Sequence, residues 1–447
     1  MIEHLNNSRI LKAFTDSNGT PFSEAEQRLA CVSVAIVAGE ASRASVAGQA
    51  ALLTAVAVSA KVFKQVVLVS PKDIALQRPI PGGTTLGSAA IALGARLSVE
   101  IPENTTHMIV TEQGQAGKIF AVRCWWDRWR SGVLPCWDAR QLGEDWNPLA
   151  GVFSAALAVR EIFAHVIGTR IHGPRTTTIS LWEPWETAED AKCGPDKIFI
   201  PKRMWIVGLG HLGQGFLWNL SMLPAHGEIL VLQDYQYAEV ENEATGLLTT
   251  HASIGKRKTR IAAQWIEQFG WKTELIERKF TSHMMVSDYD PPLVITALDK
   301  PQPRIDVLKA GFDYMIDVGV GHGPLDFESS QIRVLAKGNS PSWNHSSLQF
   351  DPLSLMNKEP YSTIAKSDRC GAFQLAEASV AVPFVGAAVG SLAIAQALRL
   401  TAMEGAPSLI QVELSAPDFS SANDLRSAPE VNIGGVPLDL KTGEFIL

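Results

Sequence analysis

Residues Met204–Leu220 read MWIVGLGHLGQGFLWNL, which is an apolar run, a glycine-rich turn and a second apolar run. Gly208, Gly210 and Gly213 give the spacing G-x-G-x-x-G after a predicted strand and before a predicted helix. The first glycine of such a turn allows the bend, the second lets phosphate approach the backbone, and the third lets helix and strand pack closely. The next apolar run, EILVLQD, ends at Asp234, where a carboxylate can accept hydrogen bonds from ribose. The pattern predicts a Rossmann-like nucleotide site.

A second copy of this arrangement lies in the N-terminal half. Residues 148–163 (PLAGVFSAALAVREIF) align without gaps with residues 383–398 (PFVGAAVGSLAIAQAL), so that Gly151 matches Gly386. Both segments predict a helix that begins with a proline and packs closely through small residues. Upstream of each, a strand, a small-residue turn and a helix follow one another. The sequence therefore predicts an α/β fold made of two tandem doubly wound domains.

The N-terminal copy lacks the glycine fingerprint. Gly39 and Gly48 remain at the wrong spacing, and Pro71 and Lys72 stand where a ribose carboxylate is needed. We predict that this half keeps the fold without binding a nucleotide. The charged stretch Glu183–Lys197 contains proline and glycine and predicts the boundary. It divides the chain into domains at 1–190 and 198–447.

The composition narrows the class of protein. Hydrophobic residues make up 46% of the chain, and the formal net charge of −7 disfavours a nucleic-acid partner. Ala378–Ala395 carries no charge, but its small residues and Pro383 predict a buried core helix rather than a membrane span. The five cysteines are scattered and form no C-x-x-C pair, which argues against a structural zinc site and for a reducing compartment. We expect a cytoplasmic protein without a membrane or nucleic-acid partner.

The residues beyond Asp234 distinguish ATP from NAD. Asn242 follows, then the run I-G-K-R-K ending at Lys258, and LVITALDKPQPR places Asp299 after another apolar strand. These motifs resemble the superfamily of ubiquitin-activating enzymes and ThiF- and MoeB-like adenylyltransferases. The resemblance implies ATP bound by the glycine turn, Asp234 and Asn242, with Lys258 neutralising the triphosphate and Asp299 holding Mg²⁺. Arg304 would orient the loop of Asp299.

The same resemblance implies two tandem ThiF-type adenylation domains that form a pseudo-dimer, with the N-terminal one degenerate. Two positions depart from the family pattern: Thr245 replaces an arginine, and Gln236 replaces a second acidic residue. We interpret His211, inside the glycine turn, as a bystander. The candidates for replacing the missing charge are Lys256, Arg257 and Arg260 nearby, or Arg9 or Arg43 from the N-terminal half.

Cys370 follows a long polar stretch and precedes the small-residue helix. Several ubiquitin-like activating enzymes carry their catalytic cysteine in this crossover region, so the resemblance implies that Cys370 is a nucleophile. The alternative is an ordinary small packing residue. Cys124 and Cys136 lie among tryptophans and are predicted to be packing residues.

The resemblance thus implies ATP-dependent adenylation of the C-terminus of a ubiquitin-like protein, thioester formation on Cys370 and transfer to a conjugating enzyme. Two adenylation domains in one chain, without zinc cysteines, look like a compact bacterial activating enzyme. Three alternatives remain open at this point. They are an adenylyltransferase serving sulfur transfer or cyclisation without conjugation, an NAD-dependent oxidoreductase, and a non-catalytic scaffold.

Overall fold

The structure is a computed structural model, and it describes residues 8–169, 173–321, 323–339, 352–425 and 428–446. Its two halves each contain one large twisted sheet with helices packed against it. The loop predicted as the boundary, Glu183–Lys197, lies between the last strand of the first large sheet and the first strand of the second half.

The N-terminal half is built on a seven-stranded sheet in the order β5-β2-β1-β6-β7-β8-β9. The first five strands in this order, β5, β2, β1, β6 and β7, are parallel to one another. The last two, β8 and β9, pair antiparallel at one edge of the sheet. The elements are α1 (Ser8–Asn18), α2 (Phe22–Ala30), β1 (Ser33–Val37), α3 (Glu40–Ala44), α4 (Val46–Val62), β2 (Gln65–Val69), β3 (Ala75–Ile80), β4 (Gly83–Thr85), α5 (Leu86–Ala92), β5 (Arg96–Ser98), β6 (His107–Val110), β7 (Phe120–Asp127), β8 (Arg130–Pro135), α6 (Pro148–Ile167) and β9 (Thr177–Ser180).

The C-terminal half repeats the plan with an eight-stranded sheet in the order β13-β12-β11-β14-β15-β16-β17-β18. Its first five strands are parallel and its last three antiparallel. The elements are β10 (Lys197–Pro201), β11 (Arg203–Val207), α7 (His211–Met222), β12 (Ile229–Gln233), α8 (Val240–Thr245), α9 (Lys258–Ile266), β13 (Lys272–Ile276), β14 (Leu293–Thr296), α10 (Pro301–Lys309), β15 (Tyr314–Val320), β16 (Ser329–Ala336), α11 (Pro352–Met356), α12 (Glu359–Ala365), α13 (Arg369–Glu377), α14 (Pro383–Thr401), β17 (Pro407–Glu413), β18 (Ser421–Leu425), β19 (Gly435–Asp439) and β20 (Glu444–Phe445).

The two sheets share one topology, so the predicted fold of two tandem Rossmann-like domains is confirmed. The helices matched by the repeat, α6 and α14, both begin with a proline. The matched glycines of these two helices each lie against a backbone carbonyl oxygen of a neighbouring helix. A Cβ on Gly151 would lie 2.0 Å from the carbonyl oxygen of Ala47, and one on Gly386 would lie 2.6 Å from that of His211. Gly151 therefore lets α6 approach α4, and Gly386 lets α14 approach α7.

The helices α6 and α14 also pack against each other and join the two halves. Both are long and apolar enough to cross a membrane, but most of α6 and all of α14 are buried inside the fold. The prediction of a core helix after Ala378 is thus confirmed. A buried ion pair crosses the same boundary, because Arg160 of α6 donates through Nη2 to Glu328 Oε2 at 2.7 Å.

In the N-terminal half, a carboxylate lies at the start of the helix that follows β1. Gly39 caps α3 after β1, as Gly210 caps α7 after β11. However, a Cβ on Gly39 would lie 2.3 Å from Cδ of Glu112, and Glu112 Oε1 accepts a hydrogen bond from the Ala41 N–H at 3.1 Å. A carboxylate of the chain itself therefore occupies a helix start that could otherwise receive an anion. This contact supports the predicted loss of nucleotide binding.

Candidate nucleotide site and candidate nucleophile

The glycine turn joins β11 to α7 at the carboxyl edge of the parallel strands. Gly208 has a φ of 91°, and an added Cβ would lie 2.4 Å from the Ala297 carbonyl oxygen. A Cβ on Gly213 would lie 2.1 Å from the carbonyl oxygen of Gly208. At Gly210 an added Cβ would have no neighbour within 4 Å, other than the adjoining residues. Gly208 and Gly213 thus serve the bend and the packing, while Gly210 faces open space where a phosphate can approach.

Asp234 ties the end of β12 to this turn. Its Oδ2 accepts a hydrogen bond from the Leu209 N–H at 2.8 Å, and its Oδ1 accepts one from the Gln236 N–H at 2.8 Å. The side chain is buried. Since each carboxylate oxygen has two lone pairs, acceptor capacity for ribose hydroxyls remains. The structure therefore brings together the glycine turn and the carboxylate that the sequence predicted.

Lys258 is the first residue of α9 and is also buried. Its Nζ donates to Gln236 Oε1 at 2.8 Å. Burial lowers the pKa of Lys258, while the charges of Asp234 and Glu239 oppose that shift. The glutamine that departs from the family pattern thus gives the ammonium a neutral partner. An acidic residue there would form an ion pair with Lys258, whereas glutamine leaves more of its positive charge for a phosphate.

Asn242 lies in α8, a helix of six residues between Asp234 and Lys258. Its Oδ1 accepts a hydrogen bond from the Glu239 N–H at 3.0 Å, which completes a capping box at the start of α8. Thr245, at the position of the missing arginine, is buried and donates from Oγ1 to the Glu241 carbonyl at 3.1 Å. Thr245 therefore satisfies its hydroxyl within α8 and supplies no charge.

Arg9 of α1, one of the candidates for the missing charge, contacts α8 and the segment before α14. Its Nε donates to the Ser379 carbonyl oxygen at 2.9 Å, and its Nη1 lies 3.8 Å from Glu241 Oε1. The charge of Arg9 contributes to the lowered pKa values of both Lys258 and His211. Arg9 as the source of the missing charge stays a prediction.

Three of the other four candidates, Arg43, Arg257 and Arg260, have partners of their own, and Lys256 stays a candidate. Arg43 donates to the carbonyl oxygens of Gly39 and Lys72 within the N-terminal half. Arg257 lies over the ring of Tyr237, and Arg260 pairs with Glu277 on the surface.

His211, which the sequence analysis interpreted as a bystander, lies at the start of the helix that follows the glycine turn, and that interpretation stays a prediction. It is the first residue of α7, and burial together with the charge of Arg9 lowers its pKa to about 4. The charge of Asp299 opposes that shift and the charge of Lys258 adds to it. The imidazole is therefore neutral near pH 7 and can donate a hydrogen bond to a phosphate oxygen. Its place between Gly210 and Gly213 was the only signal that sequence offered.

Asp299 is exposed on the loop after β14, the strand next to β11. Arg304 fixes this loop as predicted, because its Nε donates to the Leu298 carbonyl at 2.7 Å and its Nη1 to Asp317 Oδ2 at 3.0 Å. The described residues contain no group of three or more His, Cys, Asp or Glu side chains placed to hold a metal. Asp299 as a Mg²⁺ ligand therefore stays a prediction. One carboxylate fits this ion, which usually takes its other ligands from phosphate and water.

Three short helices, α11 to α13, lie in the described part of the chain between β16 and α14, and Cys370 lies on the last of them. It is the second residue of α13 and is exposed. A buried cluster anchors the segment to α1, since Lys12 Nζ donates to Tyr361 Oη at 2.8 Å and to the Leu375 carbonyl at 2.9 Å, and Tyr361 Oη donates to Asp16 at 2.5 Å. The helix that carries Arg9 thus also holds the segment that carries Cys370.

The remaining cysteine predictions concern packing. Cys124 and Cys136 are buried, and burial raises the pKa of Cys124 to about 12. Their interpretation as packing residues is confirmed. The neighbouring Trp126 and Trp129 are fully buried, whereas Trp137 is 62% exposed.

Comparison with known proteins gives the family. The BilD N-terminal domain model matches residues 33–181, and the BilD C-terminal domain model matches residues 200–404. The bacterial E1-like protein BilD of Collimonas sp. (strain OK412) is 32% identical in an alignment of 413 residues that covers 89% of this chain and 89% of that one. Among solved structures, E. coli MccB with AMPCPP and selenomethionyl MccA aligns at 12% identity and a TM-score of 0.33, over 52% of this chain and 67% of that one. MccB alone aligns at 12% identity and a TM-score of 0.34, over 52% and 65%. The relative that covers nearly the whole chain decides the assignment: the chain belongs to the BilD family of bacterial E1-like proteins.

Proposed function

We propose that the chain is an E1-type adenylyltransferase that uses ATP to activate the C-terminal carboxylate of a ubiquitin-like protein. One observation carries this proposal. The buried Lys258 binds Gln236, the Gln236 N–H binds Asp234, and Asp234 binds the Leu209 N–H of the glycine turn, which has open space at Gly210. Such an arrangement suits a triphosphate, which carries several negative charges close together.

In the first step the substrate carboxylate attacks the α-phosphorus of ATP, and pyrophosphate leaves with the electron pair of the broken P–O bond. The product is an acyl adenylate. Lys258 and Arg9 would stabilise the charge that grows on the phosphates, and neutral His211 would donate a hydrogen bond there. Mg²⁺ would supply further charge neutralisation, and Asp299 is the residue that would hold it.

In the second step the Cys370 thiolate attacks the acyl carbonyl, the C–O bond to AMP breaks, and a thioester remains on Sγ. The thiol of a conjugating enzyme then accepts the acyl group. Cys370 is exposed at the start of α13, so its sulfur is accessible to a protein tail. The conjugating enzyme, the substrate protein and a cytoplasmic location are parts of this proposal. All five cysteines, each within the described residues, are free thiols, as a reducing compartment requires.

The test is exchange of pyrophosphate into ATP with candidate ubiquitin-like proteins that end in glycine, followed by a non-reducing gel. We expect exchange in the wild type and in Cys370→Ala, with a reducible adduct in the wild type only. Cys193→Ala is the matched control, since Cys193 is also exposed. It should keep both exchange and adduct.

Other outcomes would change the assignment. Exchange without an adduct in any variant would favour sulfur transfer or cyclisation, in which Cys370 is dispensable. No exchange with any candidate protein, together with no binding of ATP, would favour a non-catalytic scaffold. The NAD-dependent oxidoreductase leaves Lys258 and Asp299 without a role, and a nicotinamide-dependent absorbance change would be its signature.

A further inference from the structure

The short helix α8 is held in place by the N-terminal half of the chain. Lys61, near the end of α4, donates from Nζ to the Glu243 carbonyl oxygen at 2.8 Å and also to the Thr249 carbonyl oxygen. Both acceptors belong to the connection between Asp234 and Lys258. The Glu243 carbonyl lies at the C-terminal end of α8, where carbonyl groups lack partners within the helix and favour a cation.

The same connection is held from the opposite side by α7. Gln214 Oε1 accepts hydrogen bonds from the Leu248 N–H at 2.8 Å and the Thr249 N–H at 3.1 Å. A helix as short as α8 is not stable through its own hydrogen bonds and needs such outside contacts. Lys61 and Gln214 together therefore fix where α8, and with it Asn242, lies relative to the glycine turn.

We propose that Lys61 is a positioning residue of the nucleotide site: its ammonium holds the end of α8, so that Asn242 is placed for ATP. The inference rests on the adenylation function proposed above and adds a residue from the half of the chain that binds no nucleotide. Lys61 itself does not contact ATP in this proposal. It acts through the backbone of α8.

The protonation of Lys61 gives the proposal a second observable. Burial lowers its pKa to about 8, and the charge of Glu243 on α8 opposes that shift. Glu243 in turn lies 3.3 Å from His251 Nδ1. As pH rises above 8, the ammonium loses its charge and its hold on the two carbonyl oxygens weakens. Lys258 also has a lowered pKa, so the effect of Lys61 must be read as the difference between the wild type and Lys61→Arg, which stays charged.

The experiment measures kcat and KM for ATP in pyrophosphate exchange, and ATP binding by calorimetry, for the wild type and three variants. In Lys61→Met we expect KM and the dissociation constant for ATP to rise roughly tenfold, the effect of one lost hydrogen bond to a charged group, with kcat nearly unchanged. Lys61→Arg should keep most of the wild-type affinity for ATP. Above pH 8 its affinity for ATP should fall less than that of the wild type. Lys64→Met is the matched control, because Lys64 is exposed and pairs with Glu26 instead.

A purely structural role would lower the active fraction of Lys61→Met, and hence its apparent kcat, at unchanged ATP affinity. That result, or wild-type affinity in a folded Lys61→Met, would overturn the inference. Failure of the adenylation proposal has a different signature. If the adenylation proposal fails, the wild type itself would show no pyrophosphate exchange with any candidate protein. Calorimetry of ATP binding would still allow Lys61→Met and Lys64→Met to be compared.

Discussion

Gly210 and Gly213 lie in the same turn, but an added methyl group would meet different surroundings at each. At Gly210 the φ of −72° and ψ of −156° are extended values that alanine adopts readily, and the space beside it is open. At Gly213 the new Cβ would lie 2.1 Å from the carbonyl oxygen of Gly208. Alanine at the two positions therefore distinguishes loss of ligand space from loss of packing.

The magnitudes follow from these distances. Gly210→Ala gains about 0.4–1 kcal/mol by restricting the unfolded chain and loses a similar amount because alanine is a poorer helix cap than glycine. Its free energy of unfolding should therefore change by less than about 1 kcal/mol. The contact at Gly213 is more than about 1 Å shorter than an ordinary van der Waals separation. The turn or α7 must shift, and we expect a loss of about 1–3 kcal/mol, as for other overpacked sites.

The assays are urea unfolding for stability and calorimetry for ATP binding. Gly210→Ala should unfold like the wild type but bind ATP at least tenfold more weakly, a difference of about 1.4 kcal/mol, because the methyl group enters the space left for phosphate. Gly213→Ala should lose stability as well as affinity. Wild-type ATP affinity in Gly210→Ala would refute the placement of phosphate at this turn. Equal loss of stability in both variants would refute the distinction between them.

Three further predictions follow from other contacts. Arg9→Met should lower kcat of pyrophosphate exchange roughly 100-fold, as loss of one charge-stabilising donor does in other enzymes. The control variant Arg43→Met should have little effect. A decrease below threefold in a folded Arg9→Met would exclude Arg9 from the reaction. Arg160→Leu should cost about 3–5 kcal/mol in urea unfolding because it removes a partner of two buried carboxylates, Glu328 and Glu161. Adding Glu328→Gln should recover the part of that loss that comes from Glu328; no recovery would show that the charge of Glu328 is not responsible. Pyrophosphate exchange should decline as pH rises through the lowered pKa of Lys258, since only the ammonium form neutralises phosphate. Lys258→Arg should move that decline to higher pH. Identical pH profiles would assign the decline to another group.

The features that sequence could predict are those encoded by neighbouring residues. The glycine turn, the carboxylate of Asp234 and the proline-led helices each depend on a short run with its own periodicity, and each is found where it was predicted. The duplication was visible because both copies bury the same kind of helix against the same kind of neighbour. A Cβ added at Gly151 would lie 2.0 Å from a backbone carbonyl oxygen, and one added at Gly386 would lie 2.6 Å from another. Such close contacts leave few alternatives to glycine.

What sequence could not predict is contact between distant parts of the chain. Arg9 and Arg43 were equal candidates for the missing charge, since each is simply an arginine of the N-terminal half. Only the packing of α1 beside α8 separates them. His211 was set aside for a related reason. A histidine in a glycine turn carries no sequence signal of its own. The pKa of His211 depends on its burial and on the charges of Arg9 and Asp299, which come from other parts of the chain.

The two halves have diverged in complementary ways. After β1, the N-terminal half directs the carboxylate of Glu112 at the start of α3, and after β2 it offers Lys72 where the other half offers Asp234. A half that binds no anion of its own is free to place its cations at the boundary. Arg9 and Lys61 are placed in this way, since both reach α8 of the other half. The degenerate half therefore does more than complete the core. Its Lys61 supplies contacts that a six-residue helix cannot make for itself, and its Arg9 is the proposed source of the charge that Thr245 does not supply.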